Sequence, residues 1–170
     1  MNKYSAIVLM WIALWTCSIQ AGVIVVAADG TGQVTSIQAG INLAAVGDTV
    51  LISPGVWTGV VVLDNKPITI GSFYIINSDT TYIAQTTIDG EDTRTGIIVK
   101  NCSGVSDTLQ IIGLTIRNCR SSWYPDTYMY SIGGGIGIGL SIAKVCNCKI
   151  FSNRAYFGGG IGVSRAQVYL

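Results

Sequence analysis

The chain repeats a phrase. "GGGIGIG" occupies residues 133–139 and "GGGIGV" residues 158–163, so Ile136 and Ile161, and likewise Ile138 and Val163, stand 25 residues apart. A fixed period of this size marks stacked structural units that cannot bury their apolar faces alone. Between the phrases, "KVCNCKIFSN" sets Cys146, Cys148 and Ile150 in alternation with Asn147, Lys149 and Phe151, the two-residue beat of a strand with one buried face. "LQIIGLTIRNC" aligns with it, with Leu114 and Ile116 in the places of Cys148 and Ile150. "TVLIS", "VVVLD", "ITIGS", "TTIDG" and "GIIVKN" are further short runs, rich in Val, Ile and Thr and broken by Gly, Asn, Asp or Pro.

Three such strands and their turns fill about 25 residues, and coils stacked at about 4.8 Å let each strand pair with its copy in the next coil. The pattern predicts an all-β chain of about four or five coils, a parallel β-helix. The interval from Ile116 to Ile150 is 34 residues, about nine more than one coil. The excess falls in "RSSWYPDTYMYSI", which must loop outside because a coil interior has no room for it. The glycines become corners that take positive φ, after which Ile136 and Ile138 drop into the core. They do not form a phosphate cradle, since no register gives G-x-G-x-x-G and no G-K-S or G-K-T follows.

"TSIQAGINLAA" departs from the pattern. Ile37, Ile41 and Ala44 or Ala45 share a helical face, with Thr35 or Ser36 as the N-cap. A short helix at about residues 35–45 would cover the first coil, whose open sheet edges and apolar cross-section would otherwise meet water. At the other end, "AQVYL" corresponds by the same period to "IAKVC", the start of a strand run. The expectation there is an unfinished coil, with further sequence missing or with edge pairing to another chain.

Before the coils, Lys3, the apolar run from Ala6 to Trp15 and the small Ala21 read as a signal peptide over residues 1–21. A membrane span would need about 18 or more apolar residues in a row, and this run ends at Thr16 and Cys17. Residues 22–170 then form one β-helix domain, secreted or at the cell surface, with coils from about residue 48 and no membrane span. Ten Lys and Arg oppose nine Asp and Glu, and loss of Lys3 leaves the mature part neutral. With no basic field to neutralise phosphates, nucleic acid is excluded as a partner. Export permits disulfides among Cys102, Cys119, Cys146 and Cys148. Two residues apart in a strand, Cys146 and Cys148 would point the same way, which favours small buried hydrophobes.

Residues 26–59, "VAADGTGQVTSIQAGINLAAVGDTVLISPGVWTG", resemble the opening of pectin methylesterases, and equally of secreted bacterial right-handed β-helix repeat proteins. The order of helix cap, "SPGVW" turn, "IDG" turn and two "GGGI" coils is similar to the latter across nearly the whole mature chain. The resemblance implies a right-handed, pectin lyase-like fold, a superfold that carries lyases, hydrolases, esterases and adhesins.

The chemistry of those enzymes is hard to place here. The chain has no histidine, which removes Ser-His-Asp and Cys-His activation and histidine metal sites. The Q-D-T and D-F-I-F-G motifs of pectin methylesterases are absent, as are the signatures of polygalacturonases and pectate lyases. In "IDGEDTR", Asp89, Glu91 and Asp92 beside Arg94 form the one weak calcium candidate, but calcium takes six to eight oxygens and a single turn falls short. A solvated polar turn is the plainer reading, and neither cofactor nor metal is expected. Asn101, Asn118 and Asn153 follow strands and are expected to look inward and satisfy turn backbone groups. Trp123, Tyr124, Tyr128 and Tyr130 crowd the insertion, where rings can stack on sugars or seal the loop against its own coil. The expected function is non-enzymatic adhesion or polysaccharide binding, with a pectin-type lyase or esterase as the alternative.

Overall fold

The computed structural model describes residues 21–103, 109–121 and 133–170. Its strands are β1 (Val23–Val26), β2 (Thr49–Ile52), β3 (Gly55–Thr58), β4 (Val61–Asp64), β5 (Thr69–Ser72), β6 (Thr86–Asp89) and β7 (Ile97–Lys100). They continue as β8 (Leu109–Ile112), β9 (Thr115–Arg117), β10 (Ile136–Gly139), β11 (Ile142–Cys146), β12 (Lys149–Phe151), β13 (Ile161–Ser164) and β14 (Gln167–Tyr169). Among the described residues the three short helices are α1 (Ile37–Leu43), α2 (Tyr74–Asn77) and α3 (Thr81–Gln85). The first sheet has the order β1-β2-β5-β8-β11-β14, the second β3-β6-β9-β12 and the third β4-β7-β10-β13. Every pairing is parallel.

Successive strands therefore visit the three sheets in turn. Coil 1 is β2–β4, coil 2 is β5–β7, coil 3 is β8–β10 and coil 4 is β11–β13, with β1 before them and β14 after. The chain is all-β, consistent with a parallel β-helix. Its registers follow the repeat: Ile136 lies opposite Ile161, Ile138 opposite Val163, and Ile116 opposite Ile150. The terminal run pairs with β11 one residue later than the sequence alignment placed it, Gln167 opposite Ile142.

The corners explain the sequence. After the third sheet the chain turns on Asn65, Asn101, Leu140 and Arg165, all with φ between 49 and 59°. Gly113 and Asn147 play this part after β8 and β11, and Asn118 and Ser152 after β9 and β12. Asparagine suits the left-handed region because its short amide bonds locally. The residue after each such corner again points inward, so buried positions step by two along a strand and by three across a corner. Ile111 is followed by Leu114, Ile116 by Cys119, and Ile138 by Ser141, all buried.

Two expectations change here. "KVCNCKIFSN" is not one strand: the chain turns at Asn147, so Val145 and Cys148 face the core while Cys146, at the end of β11, falls between them. Of the two glycine triplets, only Gly158 has positive φ. Gly134 and Gly135 are required by close approach, since a Cβ on either would meet the carbonyl of Gly159 or Gly160 at 2.5 and 2.6 Å. Their backbones form a ladder between coils 3 and 4, Gly134 N–H to Gly158 O at 3.1 Å and Gly135 N–H to Gly159 O at 3.0 Å.

Helix α1 is the expected cap. Ser36 is its N-cap, the hydroxyl accepting from the Ala39 N–H at 3.2 Å, and Ile37, Ile41 and Ala44 are buried. Lys66 Nζ reaches the Ile41 and Asn42 carbonyls at 2.8 and 3.1 Å and satisfies its C-terminal end. Helices α2 and α3 were not anticipated. They form an insertion between β5 and β6, held by a T-shaped Phe73–Tyr82 contact at 5.6 Å. Buried Ile83 lies in α3, whose carbonyl accepts from Thr115 Oγ1 at 2.7 Å, so the insertion lies on the second sheet.

Candidate functional site

The corner between the second and third sheets gathers Asp89, Glu91 and Asp92 with four arginines, Arg94, Arg117, Arg120 and Arg154. Along the outer face of the second sheet, Thr58, Asp89, Arg117 and Phe151 occupy matching positions on coils 1 to 4. Asp89 is nearly buried. It accepts from Arg117 Nε at 3.0 Å, Asn118 Nδ2 at 3.1 Å and the Glu91 N–H at 3.0 Å. Burial opposes its ionisation, but these three donors outweigh that and hold the carboxyl below its ordinary range. It is an anchored carboxylate and is not poised as an acid.

Just beyond, three arginines stack on successive coils. The Arg120 N–H donates to the Arg94 carbonyl at 2.8 Å, and Arg120 bridges Arg154 in parallel. Arg94 pairs with Glu91 at 3.3 Å and Arg154 with Asp92, which lies two coils away. Each residue of the calcium candidate thus faces an arginine, and among the described residues no three Asp, Glu, Cys or His side chains gather to hold a metal ion. The turn is polar and salt-bridged.

The insertion leaves from this corner on coil 3. Trp123, Tyr124, Tyr128 and Tyr130 lie outside the described residues, but their point of departure is fixed: Ser121 is buried and its N–H donates to the Arg154 carbonyl at 3.0 Å. On coil 4 the same corner presents Tyr156 and Phe157, T-shaped at 4.8 Å and exposed by 73 and 46 %. Phe151, at the end of β12, is 48 % exposed. These aromatics were missed from sequence. The period could have found them, because it sets Tyr156 and Phe157 beside the end of the insertion.

The asparagines divide. Asn153 looks inward as expected, accepting from the Cys119 N–H at 2.9 Å and donating to the Ile116 carbonyl at 3.0 Å. Asn101 and Asn118 instead turn outward to aspartates of the preceding coil, Asp64 at 2.8 Å and Asp89 at 3.1 Å. Their left-handed backbones direct the side chains along the stack's surface.

Among the described residues the four cysteines are free thiols, and three share a geometry. Cys102, Cys119 and Cys148 each follow a left-handed asparagine, and each Sγ donates to the carbonyl two residues back, at 3.3, 3.1 and 3.3 Å. Ser141 Oγ makes the same bond to Gly139 at 2.8 Å. Burial pushes all three thiols up, Cys119 to about 11, which disfavours the reactive thiolate.

No protein family, curated protein or solved structure matches this chain.

Proposed function

We propose that the chain is a secreted or cell-surface, right-handed, pectin lyase-like β-helix that binds polysaccharide without turning it over. The supporting observation is the corner of coils 2 to 4, where exposed Phe151, Tyr156 and Phe157 stand beside the Asp89–Arg117 and Asp92–Arg154 pairs. Sugars have flat C–H faces and hydroxyl rims, so rings flanked by bidentate polar groups are the complementary surface. The insertion with Trp123, Tyr124, Tyr128 and Tyr130 departs from the same corner and adds rings of the same kind. Export by the leader over residues 1–21 is part of this reading. An acid–base enzyme would want a carboxyl free to exchange its proton, whereas Asp89 is held ionised by three donors.

One sugar on one ring contributes about 1 kcal/mol, which places two- or three-ring binding at about 5–30 mM. Calorimetric titration against plant and bacterial polysaccharides should show binding that weakens about thirtyfold in Tyr156→Ala/Phe157→Ala, with a similar effect of Trp123→Ala/Tyr128→Ala. Unchanged binding in folded variants of both kinds would sink this reading. Release of methanol or unsaturated uronides from pectin would replace it with the enzymatic one.

A further inference from the structure

Asp48, just before β2, gathers the first elements of the stack. Its carboxylate receives two backbone groups: the Gly22 N–H donates to Oδ1 at 2.6 Å and the Ala45 N–H to Oδ2 at 2.8 Å. Its own carbonyl accepts from the Thr69 N–H at 2.9 Å, and the Gly22 carbonyl accepts from the Thr49 N–H at 2.8 Å. One residue thus ties the approach to β1, the exit from α1 and the starts of β2 and β5. What it lacks is a cation. Among the described residues, Asp64, Asp89, Glu91 and Asp92 each pair with a Lys or Arg. Asp29 and Asp79 do not, and both are exposed. Asp48 is half-buried without such a partner. Lys66, which reaches the same end of α1, bonds to the Ile41 and Asn42 carbonyls instead.

Taking a carboxylate out of water costs free energy unless charge and hydrogen bonds offset it. The Gly22 nitrogen is placed to supply the charge. It already lies against Oδ1, and glycine is what permits the approach, since a Cβ there would stand 3.1 Å from Oδ1 and 3.3 Å from Cγ of Asp48. The preceding residue is the small, exposed Ala21, a residue of the kind that ends an export leader.

We propose that the Ala21–Gly22 bond is the processing site of this chain and that the α-ammonium freed on Gly22 is the missing cation of Asp48, so that removing the leader locks the capped end of the stack. The inference rests on the export reading above. A leader-removing peptidase hydrolyses the bond with one water: the water oxygen joins the Ala21 carbonyl carbon, which departs as a carboxylate, and both water protons end on the Gly22 nitrogen. One neutral N–H donor thereby becomes a charged group with three donors, at a place where the carboxylate already stands. Hydrogen bonds with an ionised donor as well as an ionised acceptor are the stronger kind.

The test expresses the full-length chain in a secreting host and weighs the exported product, which should begin at Gly22. Acetylating its α-amine, with the lysines left free, puts an uncharged amide back on the Gly22 nitrogen. This should raise the unfolding equilibrium constant about fivefold. In Asp48→Asn the same acetylation should change it by less than about twofold, because the two alterations remove one interaction. A product that keeps Met1 would overturn both this proposal and the export reading. A product that begins elsewhere, or an acetylation effect equal in the parent and in Asp48→Asn, would overturn the proposal and leave export standing. If Asp48→Asn does not fold, the Asp48 carboxyl carbon resonance of the unaltered sequence decides: it should move on acetylation, and an unmoved resonance would overturn the pairing.

Discussion

Between β10 and β11 the chain needs two residues, left-handed Leu140 and inward Ser141, to pass from the third sheet to the first. Between β12 and β13 it spends nine residues to pass from the second sheet to the third, although Ser152 makes the same left-handed turn there. One residue in the left-handed region is thus enough to turn a coil. Whatever else stands at the longer corner is surplus to the turn: Arg154, Tyr156 and Phe157 here, and on coil 3 the whole insertion. This is why the search for function falls on the corner between the second and third sheets, while the corner between the third and first reads as scaffold.

The comparison breaks first if the long corner is loosely assembled. Its close point is Gly134, where an added Cβ would stand 2.5 Å from the Gly159 carbonyl oxygen and 2.6 Å from that of Arg154. Both obstacles are backbone atoms and cannot rotate away. Gly134→Ala should cost about 3 kcal/mol, the scale of overpacking in a tight core. A denaturation midpoint unchanged from the parent protein would mean that coils 3 and 4 do not meet there as tightly as the ladder implies.

Asp89 sharpens the comparison from the side of charge. Its folded-state acidity is strengthened by Glu91, Asn118 and Arg117 against the cost of burial. The stability it contributes is therefore present above the unfolded carboxyl value of about 3.9 and is lost as pH falls through the lower folded value. Asp89→Asn should cost about 2 kcal/mol at neutral pH, since it leaves Arg117 without its carboxylate. It should also flatten the decline in stability below about pH 4. A variant with parallel pH dependence would show that the Asp89–Arg117 pair does not tie coil 2 to coil 3.

What sequence could and could not foresee follows from the same corner rule. The registers of Ile136 with Ile161 and of Ile116 with Ile150 were legible because equal inward residues recur after each coil, even across an insertion. Cys146 was misplaced because a corner made by one residue leaves no break in composition and shifts the inward beat by a single position. Gly113 hides a corner in "LQIIGLTIRNC" the same way. The α2–α3 insertion escaped because helices of four and five residues are too short to show a helical period. Gln33 and Gln38, whose side-chain amides bond the edge backbones of β1 at Val25 and Val23 and of β4 at Val62, carry no pattern at all, since a strand edge exists only once the coils are stacked.

The mildest test concerns the short corner itself. Asn65 and Asn101 turn the first two coils there, but Leu140 and Arg165 take over on the next two with φ of 49 and 50°. A branched aliphatic residue pays for that conformation through contact of its Cβ with the carbonyl, about 1 kcal/mol more than asparagine. Leu140→Asn should relieve this while losing some apolar contact, because Leu140 is half-buried beside Ile142 and Ala166. The expected net gain is about 0.5 kcal/mol. Leu140→Ala is the control: it loses the same contact and keeps the strain, so it should destabilise. If asparagine and alanine both lower the melting temperature equally, Leu140 is held by packing, and the short corner is more than a bare turn.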